Sequence, residues 1–263
     1  MTERWKHAAL HFGGSLTGFM RLFAAHPGFA LKLLGARFYF FRNRQLKEPV
    51  QTPDGYHIES VNELLSYWSL RVERECFRGS WTESLQKEKA PFVVDVGANA
   101  GMFTHLLWTL KPTSEIFAFE PLPRMNQKIR AWNDRTKANL TLFQRAVSDK
   151  TGTATFCADS DNDTNASLEL SGDKRDGFTV ETVTLDSVLP DRPIFLIKID
   201  VEGFEPQVLD GAKKTIHNAR FLLIEAHNKE AFDKLAQKLG PDWLSEQVGT
   251  SDYFFHRSND LKA

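Results

Sequence analysis

Residues 92–101 read Phe-Val-Val-Asp-Val-Gly-Ala-Asn-Ala-Gly. Phe92, Val93 and Val94 form an unbroken apolar run, and Val96 follows Asp95. Such a run is expected of a strand buried on both faces of a parallel sheet. Gly97 and Gly101 come directly after it, and a helix-like stretch, Met102 to Leu110, follows. Strand, glycine turn and helix in that order give the layout of a nucleotide site. Residues without a Cβ let the chain turn tightly and a ligand approach closely, and the start of a helix offers free N–H groups.

The layout repeats downstream. Strands are expected at Ile116–Glu120, Asn139–Gln144, Ile194–Asp200, Phe221–His227 and Asp252–Arg257, with helices at Arg124–Arg135, Pro206–His217 and Lys229–Leu239. Strands alternating with helices predict a mainly parallel sheet covered on both faces. Right-handed crossovers bring all strand C-termini to one edge, where ligands of open α/β sheets bind. The unusual polar residues fall at those ends: Asp95, Glu120, Asp200, Glu225 and His227. One insertion interrupts the alternation. Thr151–Cys157 and Phe178–Leu185 alternate with period two around a polar segment, Asp159–Gly177, and predict added strands carrying a flexible loop placed to cover or select an acceptor.

A dinucleotide site needs Gly-x-Gly-x-x-Gly so that a pyrophosphate can sit on the helix end. The loop here is Gly97-Ala-Asn-Ala-Gly101, with Asp95 two residues before the first glycine. That carboxylate repels a pyrophosphate and suits an ammonium or sulfonium. Glu120 closes the next strand 25 residues after Asp95, where an acid can accept hydrogen bonds from ribose hydroxyls. A nucleoside with a cationic arm and no phosphates satisfies both acids, which describes S-adenosylmethionine. A nicotinamide-dependent dehydrogenase shares the layout but requires the three-glycine loop; a non-catalytic Rossmann-like module is the other alternative.

The block Ile197-Lys-Ile-Asp-Val-Glu-Gly203 sets Lys198, Asp200 and Glu202 at one strand end. Charges are rarely buried unless paired, so the cluster is either a structural ion-pair group or part of the chemistry. In the second case Asp200 lies beside the transferable methyl, and Lys198 or Glu202 takes the proton of an acceptor hydroxyl. Asp200, Glu225 and His227 together offer a two-carboxylate, one-histidine metal set. Magnesium prefers oxygen ligands, so no metal is expected and His227 is read as a pocket-lining or catalytic residue.

The ordered blocks VDVGANAGMFT, FAFEPLPRM, RAVSD with KTGTATF, VTLDSVL, IKIDVEGFEPQVLDGA and LLIEAH resemble the FkbM-type S-adenosylmethionine-dependent methyltransferases over about Phe92 to His227. The resemblance implies an α/β, class I Rossmann-like fold with a mainly parallel seven-stranded sheet whose last strand is antiparallel. It implies that Asp95, Gly97 and Asn99 face the methionine part of the cofactor, with Gly101 in the same loop, and that Glu120 holds the ribose. Arg145–Asp149 would line the adenine, with Ala146 in the block and Asp149 as a partner for the amino group. It further implies O-methylation of a small-molecule, sugar or lipid-linked acceptor.

Residues 1–55 form a separate N-terminal extension in this reading, and 56–263 the methyltransferase domain with its core at 91–257. Up to Lys47 there are eight Lys or Arg against one acid, and the remainder carries 25 against 33. This basic, aromatic segment, 1–47, is expected to pack as amphipathic helix on protein, with peripheral contact to an anionic membrane or homo-oligomer formation as further options. It holds no apolar run of bilayer length. A net charge of −1 gives no reason to expect nucleic acid. Cys76 and Cys157 make neither a disulfide framework nor a zinc pattern, so a cytoplasmic setting is expected.

Overall fold

The computed structural model describes residues 45–67, 76–77, 80–159, 162–169 and 178–258, with isolated positions 24, 27, 28, 31 and 70. Apart from those isolated positions and 45–47, the basic segment 1–47 read as amphipathic lies outside the described residues, as do 68, 69 and 71–75. The chain divides into two compact units, Met1–Glu75 and Cys76–Ala263.

In the first unit, strands β1 (Gln45–Gln51) and β2 (His57–Ser60) pair antiparallel. Residues 52–55 make the turn of this hairpin. Gly55 (φ 86) donates its N–H to the Thr52 carbonyl, and Thr52 Oγ1 accepts from the Tyr56 N–H. Helix α1 (Val61–Tyr67) follows. Ser60 Oγ caps it by accepting from the Glu63 N–H, while Glu63 reaches back to the Glu59 N–H, satisfying donors a helix start leaves open.

The second unit opens with α2 (Ser80–Lys87) and then builds the main sheet. Its strands are β3 (Phe92–Val96), β4 (Glu115–Phe119), β5 (Asn139–Phe143), β10 (Ile194–Ile199), β11 (Ala219–Glu225), β12 (Trp243–Gln247) and β13 (Asp252–Arg257). The order is β12-β13-β11-β10-β3-β4-β5. All pairings from β11 to β5 are parallel, and β13 is antiparallel to both β11 and β12. Every residue of β3 and β10 is buried, as their continuous apolar runs predict, whereas edge strand β12 is largely exposed. Helices α3 (Met102–Leu110), α4 (Pro123–Thr136), α6 (Glu205–Asp210), α7 (Lys213–Asn218) and α8 (Lys229–Leu239) make the crossovers, with short α5 (Leu185–Val188) before β10. From β3 the chain builds outward to β5, then returns to β10 and builds the other way. The reversal leaves a crevice between β3 and β10, the switch point at which such sheets bind ligands.

A second, four-stranded sheet is inserted between β5 and β10. Its order is β6 (Ala146–Val147), β9 (Phe178–Val183), β7 (Gly152–Asp159), β8 (Asn162–Glu169). Two expectations change here. The segment 159–177 is not wholly a loop, because β8 forms within it and pairs antiparallel with β7. The expected Pro206–His217 helix is broken at Gly211, where a Cβ would stand 2.1 Å from the Ser148 carbonyl oxygen. The break seats the end of β6 against the main domain. Strand β12 carries too weak an alternation to be read from sequence. Among the described residues, no helix is long and apolar enough to cross a membrane.

Gly97 (φ 79) and Gly101 (φ 81) turn in the left-handed region as expected, but the space of their missing Cβ atoms belongs to the protein. A Cβ on Gly97 would lie 1.8 Å from the Asp200 carbonyl oxygen; one on Gly101 would lie 2.8 Å from Ile129 Cγ1. On the side where a Cβ would stand, the glycines admit the end of β10 and α4. Both alanine variants should incur the left-handed strain of about 1–3 kcal/mol. Gly97→Ala is expected to be clearly the worse in urea unfolding, since a backbone carbonyl cannot yield as the Ile129 side chain can. Equal losses would show that the carbonyl contact is not limiting.

Candidate active site

Asp95 and Lys198 are register partners across the switch point. Asp95 is 0 % exposed; its Oδ2 accepts from Thr104 Oγ1 at 2.7 Å, and Oδ1 lies 3.7 Å from Lys198 Nζ with no hydrogen-bond partner. Lys198, 5 % exposed, reaches Asp200 Oδ2 at 3.0 Å and lies over the Phe103 ring. One buried ammonium thus serves two carboxylates. Burial alone favours the neutral amine, but Asp200 and Asp95 outweigh it and hold Lys198 above the ordinary lysine range. The two carboxylates thus favour the ammonium form of Lys198, which speaks against the proton-accepting role considered for it from sequence. Burial pushes the Asp95 carboxyl up against the pull of Lys198 and Thr104. For Asp200 burial also works upward, but Lys198 and the hydrogen bond from Glu225 prevail and its carboxyl is lowered. Asp95 is therefore sealed beneath the crevice, whereas the Asp200 side chain is 35 % exposed and faces it.

The loop after β3 is built for close approach. Gly97 and Ala98 donate their N–H groups to the Phe119 carbonyl at 3.0 Å each, tying the loop to the end of β4. Asn99 takes a left-handed backbone (φ 49), and its Oδ1 accepts from the Ala100 N–H at 2.6 Å. Glu120, one residue beyond β4, is 4 % exposed. Its Oε2 accepts from the Asn99 N–H at 2.7 Å and its Oε1 from the Leu122 N–H at 2.8 Å. Burial, opposed by those two hydrogen bonds, moves Glu120 up to about 7. Each oxygen keeps a lone pair for a further donor.

Ala146 lies in the small apolar cluster with Phe156 and Val180, against Leu122 and Phe204. It thus helps to pack the second sheet to the loops after β4 and β10. Asp149 is exposed, and Ser148 Oγ donates to it at 3.0 Å.

At the far side of the crevice, His227 Nε2 lies 3.4 Å from both Glu202 Oε2 and Glu225 Oε2. Glu202 sits in a left-handed turn (φ 53), followed by Gly203 (φ 100). Burial first, then Asp200, raises Glu202 to about 7. The metal set considered from sequence was Asp200, Glu225 and His227. In the structure Asp200 is engaged by Lys198, and the donor atoms that converge, within 4.8 Å, are those of Glu202, Glu225 and His227. Thr104, Ser251 and Asp252 were not singled out from sequence. Thr104 was within reach, in the block that follows Asp95; Ser251 and Asp252 come to the site only through the β11–β13 pairing.

The family model of the methyltransferase FkbM domain matches residues 95–252. The chain belongs to the FkbM methyltransferase family. It is 30% identical over 183 residues to the 2-O-methyltransferase NoeI of Sinorhizobium fredii, covering 63% of this chain and 72% of that protein. It is 25% identical over 175 residues to the hexuronic acid methyltransferase AglP of Haloferax volcanii, covering 65% and 70%. A SAM-dependent O-methyltransferase from Thermotoga maritima is 9% identical with a TM-score of 0.42 over 83% of this chain and 79% of that one; the fold assignment rests on the strand order instead. As a member of this family the chain uses S-adenosylmethionine as methyl donor. The crevice fits such a group. Glu120 has free lone pairs for hydroxyl donors, the loop presents half-buried Gly97 and Asn99, and the acids outnumber Lys198 where a cationic arm would lie.

Removing the shared ammonium should leave a buried carboxylate uncompensated, a loss of about 3–5 kcal/mol. Lys198→Met is expected to lower stability on that scale in urea unfolding, and Asp95→Asn in the same chain should recover part of it. Strict additivity of the two changes would show that Lys198 and Asp95 do not interact.

Proposed function

We propose that this enzyme moves a methyl group from S-adenosylmethionine to a hydroxyl of a sugar, a reading supported by the 2-O-methyl transfer in one relative's name and the hexuronic acid in the other's. The observation that carries the site assignment is the line of acids along one sheet edge, from Glu120 through Asp200 to Glu202, with the glycine loop between the first two. Glu120 accepts from the ribose hydroxyls. Gly97, Asn99 and Gly101 shape the loop, and Asp149 borders the adenine. Asp200, with Asp95 beneath it, supplies the negative field for the cofactor's cationic arm.

When bound, S-adenosylmethionine supplies a methyl group on a sulfonium, already a good leaving group. The protein's part is then alignment and proton handling. Lys198 keeps Asp200 ionised and fixed. The Glu202–His227 pair receives the hydroxyl proton; Glu202, near neutrality, holds a value suited to that task. No metal enters this scheme. The basic segment 1–47 is our candidate for peripheral contact with an anionic membrane from a cytoplasmic site, motivated by its charge and aromatic content.

Calorimetry with S-adenosylhomocysteine tests the cofactor assignment. Glu120→Ala is expected to weaken binding by about 1.5–3 kcal/mol, the range for hydrogen bonds to a charged group; unchanged affinity would move the ribose contact elsewhere. Labelled S-adenosylmethionine offered with uronic-acid and amino-sugar glycosides should yield an alkali-stable methyl ether, with transfer persisting in EDTA. Label found only in esters or amines would overturn O-methylation of a hydroxyl. Flotation with anionic vesicles should retain the full chain and lose one lacking residues 1–47; equal flotation of both would end the membrane proposal.

A further inference from the structure

Glu202, the acid assigned to receive the hydroxyl proton, stands on a backbone that side chains rarely adopt. Its φ is 53, and Gly203 follows at φ 100. A Cβ on Gly203 would meet nothing within 4 Å, so glycine is there for its conformation and not for space. Successive left-handed residues persist only where the surrounding structure over-determines them.

Glu205 supplies that constraint. It is the first residue of α6 and is 4 % exposed. Its Oε1 accepts from the Val201 N–H and from the Gly203 N–H, at 3.1 Å each. The two donors are the residues on either side of Glu202. One oxygen of a buried side chain therefore closes the turn around Glu202. The segments that flank the turn are themselves fixed. Before it, the Asp200 N–H donates to the Val96 carbonyl at 3.1 Å. After it, Val208 and Leu209 of α6 are buried in the core of the main sheet. Held between them, Glu202 places its Oε2 at 3.4 Å from His227 Nε2.

We infer that Glu205 is a positioning residue: it accepts from the two backbone N–H groups that flank Glu202, locks the left-handed turn and holds the Glu202 carboxyl group against His227. The proton-accepting role of Glu202 rests on the function proposed above; the clamp itself does not. The clamp asks residue 205 for an acceptor oxygen of this reach. Glutamine keeps such an oxygen, whereas alanine leaves both N–H groups without their partner. Released from the clamp, residue 202 has no reason to stay in the left-handed region, and its carboxyl group leaves His227.

The test uses the full chain without ligand, and compares it with Glu205→Gln, Glu205→Ala and Glu202→Gln by NMR at neutral pH. In the unaltered protein the Val201 and Gly203 amides should be protected from hydrogen exchange; exchange at the free-chain rate overturns the clamp. In Glu205→Ala both amides should exchange about tenfold faster, the scale of a lost hydrogen bond to a charged group. The His227 ring resonances should then move to where Glu202→Gln places them. Glu205→Gln should restore both readouts. Slow exchange in Glu205→Ala, or a Glu205→Gln protein as disturbed as Glu205→Ala, overturns the clamp. Fast exchange with the His227 resonances unmoved overturns the positioning of Glu202. Transfer of labelled methyl to the uronic-acid and amino-sugar glycosides should fall about a hundredfold in Glu205→Ala, the scale of a misplaced reacting group, and recover in Glu205→Gln. Should both NMR readouts hold while Glu205→Ala transfers label at the original rate, the clamp stands and the proton-accepting role of Glu202 falls instead.

Discussion

One ammonium group holds the two halves of the sheet together electrically. Lys198 on β10 faces Asp95 on β3 across the point where strand order reverses, and it also reaches Asp200. An isolated charge buried at that depth would be too costly to keep. Each member of the trio is tolerable only because the others are present. Gly97 completes the arrangement, since its bare Cα lets the Asp200 carbonyl lie against the loop after β3. The crevice is therefore a consequence of strand pairing and charge pairing acting at the same place.

From that fixed point the acids along the sheet edge differ by surroundings rather than by type. Asp95 is sealed and acts through its field. Asp200 is kept charged by Lys198. Glu120 is held by two backbone N–H groups yet moved up to about 7 by burial, and Glu202 reaches about 7 through burial and Asp200. Glu225 is moved up to about 10, by burial first and then by the acids around it. A row of like residues is thus differentiated by its surroundings, as groups with perturbed pKa values at functional sites are.

Much of this was legible in the chain. Apart from Asp95 and Lys198, the runs at β3 and β10 are apolar because both faces are covered, so composition and length identify them. Helix α8 was read with its observed limits, Lys229–Leu239, because Asn228 caps its start by accepting from the Ala231 N–H and Gly240 ends it. Less legible were elements whose reasons lie elsewhere in the molecule. Strand β12 is an exposed edge with little pattern, and β8 forms from a polar segment because β7 is there to pair with it. The helix break at Gly211 answers to Ser148, more than sixty residues away.

The sequence by itself determined the order of elements, the glycine loop and the list of acids at strand ends, because local periodicity and turn chemistry are written residue by residue. Only the tertiary structure decided what those acids do. Protonation depends on which groups share a dry crevice, and that is set by sheet register and burial: it kept the proton on Lys198, sealed Asp95, turned Glu202 rather than Asp200 toward His227, and brought Ser251 and Asp252 to Glu225.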